Sequence, residues 1–135
     1  MILSKEQRTE LLADMQQTLL AYMAEPTQIP GYRPTKWLYP TAGKMYIRPT
    51  SYHNIGNPLA PRDCFDFANM TIWDKYRGHG LMMELMEWWN NGQNPQPYTF
   101  IESVMDDNQA RRLTKAGWIQ CGDETCPNFY KQTVR

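Results

Sequence analysis

Apolar side chains return at helical spacing along residues 4–24. Leu11, Leu12, Met15, Leu19, Leu20 and Met23 fall on one face, and Lys5, Arg8, Asp14 and Gln17 fall outside it. Ser4 with Gln7 three residues on forms a capping box at the start, and Pro26 and Pro30 bar continuation. The pattern then shortens. Runs 36–39 and 44–48 flank Pro40-Thr41-Ala42-Gly43, which predicts a hairpin. Residues 49–63 carry Pro49, Pro58, Pro61, Gly56, Asn54 and Asn57, which predicts a long loop, either functional or a plain bridge.

The second half alternates between the two periods. Residues 64–73 are rich in aromatic and β-branched side chains and read as a buried strand. Asp74–His79 is a polar turn. A helix over 81–89 places Leu81, Met82, Leu85 and Trp89 on one side, and Asn90-Asn91-Gly92 closes it. Residues 98–104 read as a strand, 107–116 as a short basic helix stopped by Gly117, and 118–121 with 129–132 as a terminal hairpin. Strands that alternate with helices imply a mixed α/β sheet with right-handed crossovers.

Composition narrows the class. The chain has 135 residues, the length of one domain, so residues 1–135 are expected to form a single unit. A formal net charge of +0 argues against a nucleic-acid binder held by a basic stripe. Charge begins at Lys5 and Glu6, and no run approaches the ~20 apolar residues of a membrane span. Three cysteines, Cys64, Cys121 and Cys126, suit reduced thiols and a cytoplasmic location, with no membrane partner. Cys121 and Cys126 with His53 or His79 would make only a poor zinc set.

The chemistry concentrates in Ile72-Trp73-Asp74-Lys75-Tyr76-Arg77-Gly78-His79-Gly80-Leu81. A strand ends, glycines cluster and a helix begins. A helix start presents unpaired N–H groups and about half a positive charge, and glycines let an anion approach that backbone. Lys75 and Arg77 add cations. A phosphate-binding turn and an ordinary strand-to-helix turn both satisfy this pattern. A nucleotide P-loop would need Gly-Lys-Ser/Thr where Leu81-Met82 follow, and a dinucleotide fingerprint would need glycine at Met83.

The turn resembles the signature of the GNAT N-acetyltransferase superfamily, Gln/Arg-x-x-Gly-x-Gly/Ala. Gly78 and Gly80 match it, and Lys75 stands where Gln or Arg is usual. Ile72, Tyr76, Arg77 and Leu81 fill the broader pattern. Downstream, Asn108 to Trp118 is similar to the family's later motif, an Asn-initiated helix ending in Gly-Phe. The resemblance covers residues 64–133, the cofactor-binding half. Residues 1–63 are atypical. It implies a mostly antiparallel sheet flanked by helices and splayed at the cofactor strand.

The resemblance also implies acetyl-CoA as co-substrate and a primary amine as acceptor, on a small molecule or a protein. Met70, Thr71 and Ile72 would pair with the pantetheine. Lys75, Arg77, Gly78, His79, Gly80 and Leu81 would surround the pyrophosphate, and Asn108 would touch the pantetheine or thiol end. The base would be Asp66, six residues before Ile72 and so on its face of the strand, or else Glu102 on the neighbouring strand. Leu113 and Thr114 occupy the neighbourhood of the tyrosine that protonates the thiolate in many members. Tyr130 is a substitute, and an inactive binding or structural protein of the same fold, similar to compact virus-encoded versions, is the alternative reading. A homodimer is compatible with either.

Overall fold

The computed structural model describes residues 2–135. In chain order it contains α1 (Lys5–Ala24), β1 (Lys36–Leu38), β2 (Gly43–Ile55), β3 (Ala60–Ile72), a short 3-10 turn (Asp74–Tyr76), α2 (Leu81–Asn90), β4 (Tyr98–Ile101), α3 (Asp107–Lys115), β5 (Ile119–Asp123) and β6 (Cys126–Gln132). The six strands form one sheet in the order β1-β2-β3-β4-β6-β5. Every neighbouring pair is antiparallel except β3 and β4.

The capping box closes α1 as expected. Ser4 Oγ accepts from the Gln7 N–H at 3.0 Å, and Gln7 Oε1 accepts from the Ser4 N–H at 2.9 Å. The helix buries Met15, Leu19 and Tyr22, with Leu11, Leu12 and Met23 packed beside them. Leu20, expected inside, faces out. Tyr22 takes the inner place because its hydroxyl reaches the Pro34 carbonyl at 2.6 Å, which satisfies a polar tip in an apolar setting. All three helices contribute to one apolar cluster with Met45, Ile47, Phe65, Phe67, Ile101 and Phe129. Trp89 of α2 anchors it against Phe65, ring centroids 4.6 Å apart. No helix among the described residues is long and apolar enough to cross a membrane.

The loop expected over 49–63 is instead the far half of a long hairpin, in which β2 and β3 pair from Gly43↔Ile72 to Ile55↔Ala60. Proline misled the reading. Pro49 sits where the register jumps between Arg48 and Ser51, an irregularity that tolerates a residue without an N–H. The arm beyond it lies against the outer face of β4 and β6. His53 stacks on Phe100 at 3.8 Å, and the Gly56 N–H donates to the Tyr130 hydroxyl at 3.2 Å. Ile55, Cys64, Phe100 and Tyr130 form a second, smaller cluster there.

A second irregularity positions the site. Ile47 pairs with Phe67 but Tyr46 pairs with Asn69, so Ala68 is an extra residue in β3. Such a bulge bends its strand and turns every later side chain to the opposite face. The expectation that Asp66 and Ile72 share a face is therefore wrong. Met70 and Ile72 pack on the main core, while Asp66 points to the other side. The same point ends the β3–β4 ladder. Its last bond runs from the Glu102 N–H to the Phe67 carbonyl at 3.1 Å. Beyond it, Val104 N–H donates to Pro127 O at 2.8 Å and Ser103 N–H to Asn128 Oδ1 at 2.9 Å, so the chain leaves β3 for the start of β6. Ser103 absorbs the departure with a positive φ of 57°.

Candidate active site

The parted strands leave a cleft of about 600 Å³ between the end of β3, the chain after β4 and the starts of α2 and α3. One wall is Asn69 to Ile72, and the opposite wall is Ile101 to Asp106. The floor is Arg77 to Met82, and Asn108 closes the α3 side. Of the expected cofactor residues, Met70, Thr71, Ile72, Arg77, Gly78, His79, Gly80, Leu81 and Asn108 are thus brought together. Lys75 does not line the cleft. Its ammonium lies over the Tyr76 ring, 5.0 Å from the centroid.

The floor is built to leave helix donors free. Gly80 caps α2 in the left-handed region at φ 71°, and no side chain caps the first-turn N–H groups. Gly78 has φ 83°, and a Cβ there would meet nothing within 4 Å, so the approach to those groups is open. The turn is tied from both sides. Arg8 of α1 donates through Nε to the His79 carbonyl at 2.6 Å and bonds Glu84 at 2.7 Å. Arg77 donates to the Ile72 carbonyl at 3.0 Å and pairs with Asp74 at 3.3 Å. Arg112 adds a further cation to the lining.

At the inner end stand the two expected carboxylates. Glu102 lines the cleft, with its side chain 23% exposed, and accepts from Arg48 at 3.2 Å. Asp66 lies behind it with no exposure at all. Its Oδ2 is 3.2 Å from His53 Nε2 and 3.9 Å from the Arg48 guanidinium, while Oδ1 is buried without a hydrogen-bond donor. Burial, then the hydrogen bond and charge of Glu102, push Asp66 up to about 9 against the pull of Arg48. Burial also holds His53 below the ordinary histidine range; the Glu102 charge opposes this and Arg48 reinforces it. Both groups are therefore neutral near pH 7. Ser51 Oγ, 3.0 Å from His53 Nε2, completes the cluster.

His53, Asp66 and Glu102 offer three metal-type donor atoms within 4.8 Å of one another. Arg48 already pairs with Glu102, and Asp66 is held protonated by its burial, which weighs against a second cation there. The neighbourhood where a family tyrosine would sit holds none. Leu113 is buried in the core, and the Thr114 hydroxyl bonds the Ala110 carbonyl at 2.9 Å. Tyr130 does not line the cleft, and its hydroxyl oxygen accepts from the Gly56 N–H. Ser51 and His53 were hidden in the supposed loop, His53 surfacing only as a poor zinc ligand, and Arg48 ended the 44–48 strand with nothing local to mark it as a partner of the carboxylates. The turn signal Gly56-Asn57-Pro58 between two extended runs was the clue to a hairpin.

No family model matches the chain, and no curated protein matches it. Among solved structures, a candidate N-acetyltransferase from Lactobacillus plantarum is similar at 16% identity and a TM-score of 0.45, over 97% of this chain and 94% of that one. Likeness at that level concerns the course of the backbone alone. On its own topology the fold is GNAT-like: an open, mostly antiparallel sheet whose single parallel pair splays beside a glycine turn at a helix start.

Proposed function

We propose that the protein is an N-acetyltransferase that binds acetyl-CoA in the cleft between β3 and β4 and passes the acetyl group to a primary amine. One observation carries this reading. The cleft runs unbroken from uncapped helix donors, which suit a pyrophosphate, along a strand edge without a partner, which suits the amides of pantetheine, to a carboxylate at its inner end. The Met70–Ile72 edge aligns the arm and offers N–H groups to the thioester oxygen, where charge develops during attack. The acceptor approaches over the open sheet face. Trp37 and Tyr46 lie there with centroids 4.8 Å apart, and Tyr46 is paired with Asn69 of the cleft wall.

Thermal denaturation with CoA tests the reading. Saturation at 100 times Kd should add about 2.7 kcal/mol of stability. Gly78→Glu should abolish that shift, because it sets a carboxylate where the pyrophosphate belongs. Thiol release from acetyl-CoA with a panel of amines then tests turnover. Absence of a shift at millimolar CoA would sink the proposal. The lack of a tyrosine near Leu113 and Thr114 favours one alternative, a CoA-binding protein without catalysis, for which the shift appears and no amine releases thiol.

A further inference from the structure

The two carboxyl groups at the inner end of the cleft stand in unlike surroundings. Glu102 borders the cleft and is paired with Arg48. Asp66 is fully buried behind it, and one of its oxygens, Oδ1, has no donor in reach. A buried oxygen that needs a donor and lacks one costs free energy, and an ionised buried carboxylate costs more. The facing groups do not cure this. From β2 come Arg48, 3.9 Å from Oδ2 and shared with Glu102, and His53, which also meets Oδ2. From β3 comes Cys64, whose thiol burial pushes up to about 12, so it bears no charge to trade. From β6 comes Tyr130, whose hydroxyl oxygen accepts from the Gly56 N–H and makes no hydrogen bond to Asp66 Oδ1. A proton on Oδ1 resolves the deficit at once. It turns the orphan acceptor into a donor, and the Glu102 carboxylate, which neighbours Asp66 and shares a side-chain hydrogen bond with it, is the acceptor. Burial and the nearby Glu102 charge both favour the protonated form.

We propose that Asp66 and Glu102 share one proton at the inner end of the cleft, with Glu102 the catalytic carboxylate that takes the acceptor's proton and Asp66 the positioning residue that holds it. The catalytic half rests on the acetyltransferase reading; the shared proton does not. In the reaction an ammonium loses a proton to Glu102, and the freed lone pair forms the N–C bond to the thioester carbonyl. The C–S bond breaks with its electron pair on sulfur. The second nitrogen proton goes by way of water to the thiolate, and Glu102 returns its proton to solvent. Asp66 keeps its proton throughout, and the neutral His53 supports its Oδ2.

Infrared difference spectroscopy of the full chain labelled with ¹³C-carboxyl aspartate tests the pair. Near neutral pH the wild type should show one protonated aspartate C=O band. It should vanish in Asp66→Asn and move to higher frequency in Glu102→Gln, where the hydrogen bond to a carboxylate is lost. Absence of that band from folded wild type would overturn the proposal. Kinetics test the division of roles. Glu102→Gln should lower kcat by roughly 10²–10⁴-fold, the usual range for a lost proton acceptor. Asp66→Ala should lower kcat with little change in KM, and Asp66→Asn, which keeps the shape and one donor to Glu102, should recover most of the loss. A dead Asp66→Asn beside an active Glu102→Gln, both with wild-type melting curves, would overturn the assignment. A protonated aspartate in a protein that acetylates nothing would leave the pair standing and defeat the functional reading instead.

Discussion

Two glycines in this chain do opposite jobs, and substitution should separate them. A Cβ on Gly43 would lie 1.8 Å from the Thr71 carbonyl oxygen across the β2–β3 pair, so β2 can approach β3 there only without a side chain. Gly43→Ala should cost at least about 2 kcal/mol in urea denaturation, since a backbone atom must move. Gly78→Ala meets open space and should cost only about 1 kcal/mol, the strain of a left-handed backbone. Asp66 gives a pH test with a definite sign. Its folded pKa, up to about 9, exceeds the unfolded value of 3.8, so between them the folded state binds more protons than the unfolded. Stability therefore falls as pH rises through that window, and the contribution is intact only below it. His53 works in reverse: its lowered pKa costs stability as pH falls below about 6.5. Cys64 and Cys121, both raised by burial, join only where their unfolded thiols begin to ionise, so from about pH 7 to pH 8 Asp66 acts alone among the shifted groups, and Asp66→Asn should flatten the decline of the urea midpoint there. An equal slope in both proteins would show that Asp66 is ionised. At this scale the sequence reveals which residues carry chemistry but not their protonation. Asp66 and Glu102 look alike as letters; burial and Arg48 make them different.

Elements with strong periods were legible. The α1 cap, the α2 face and the glycine turn all follow from local spacing. What the sequence concealed depends on contacts distant in the chain. Pro49, Pro58 and Pro61 read as a loop because proline lacks a ladder donor, yet Pro49 sits at a bulge and Asn57-Pro58 at the hairpin tip. The bulge at Ala68 leaves no local trace either, and it inverted the face assigned to Asp66. The role of α1 was also invisible, since nothing in residues 1–63 resembles the cofactor half. In the structure α1 reaches the turn through Arg8, which grips the His79 carbonyl and Glu84. Arg8→Met removes both bonds and keeps the aliphatic stem. It should weaken CoA binding by about fivefold, about 1 kcal/mol, in isothermal titration, with the circular dichroism spectrum unchanged. Unaltered affinity would mean that the turn holds itself and α1 serves packing alone.

At the scale of the whole molecule the sheet divides its labour. The face packed on α1, α2 and α3 carries most of the buried apolar surface together with the buried Asn90–Thr99–Asn94 hydrogen-bond chain, and the face under the hairpin arm carries His53 and Asp66. The cleft opens where β3 leaves β4, so a bound cofactor would act as a missing strand and a helix cap together. That has a local signature. The strand edge at 69–72 and the first turn of α2 hold N–H groups without partners across the cleft, and such groups exchange hydrogen quickly without global unfolding. At short labelling times, CoA should slow exchange in peptides covering 69–72 and 78–83. Peptides from the hairpin arm, 50–62, should be unaffected, because their bonds are already made and lie away from the cleft. Longer times add the uniform protection that any stabilising ligand gives, so the early contrast is the informative part. Protection confined to 78–83 would place a phosphate group at the helix start without the pantetheine. Protection at both segments would require a ligand that spans the cleft, as an acyl-CoA does.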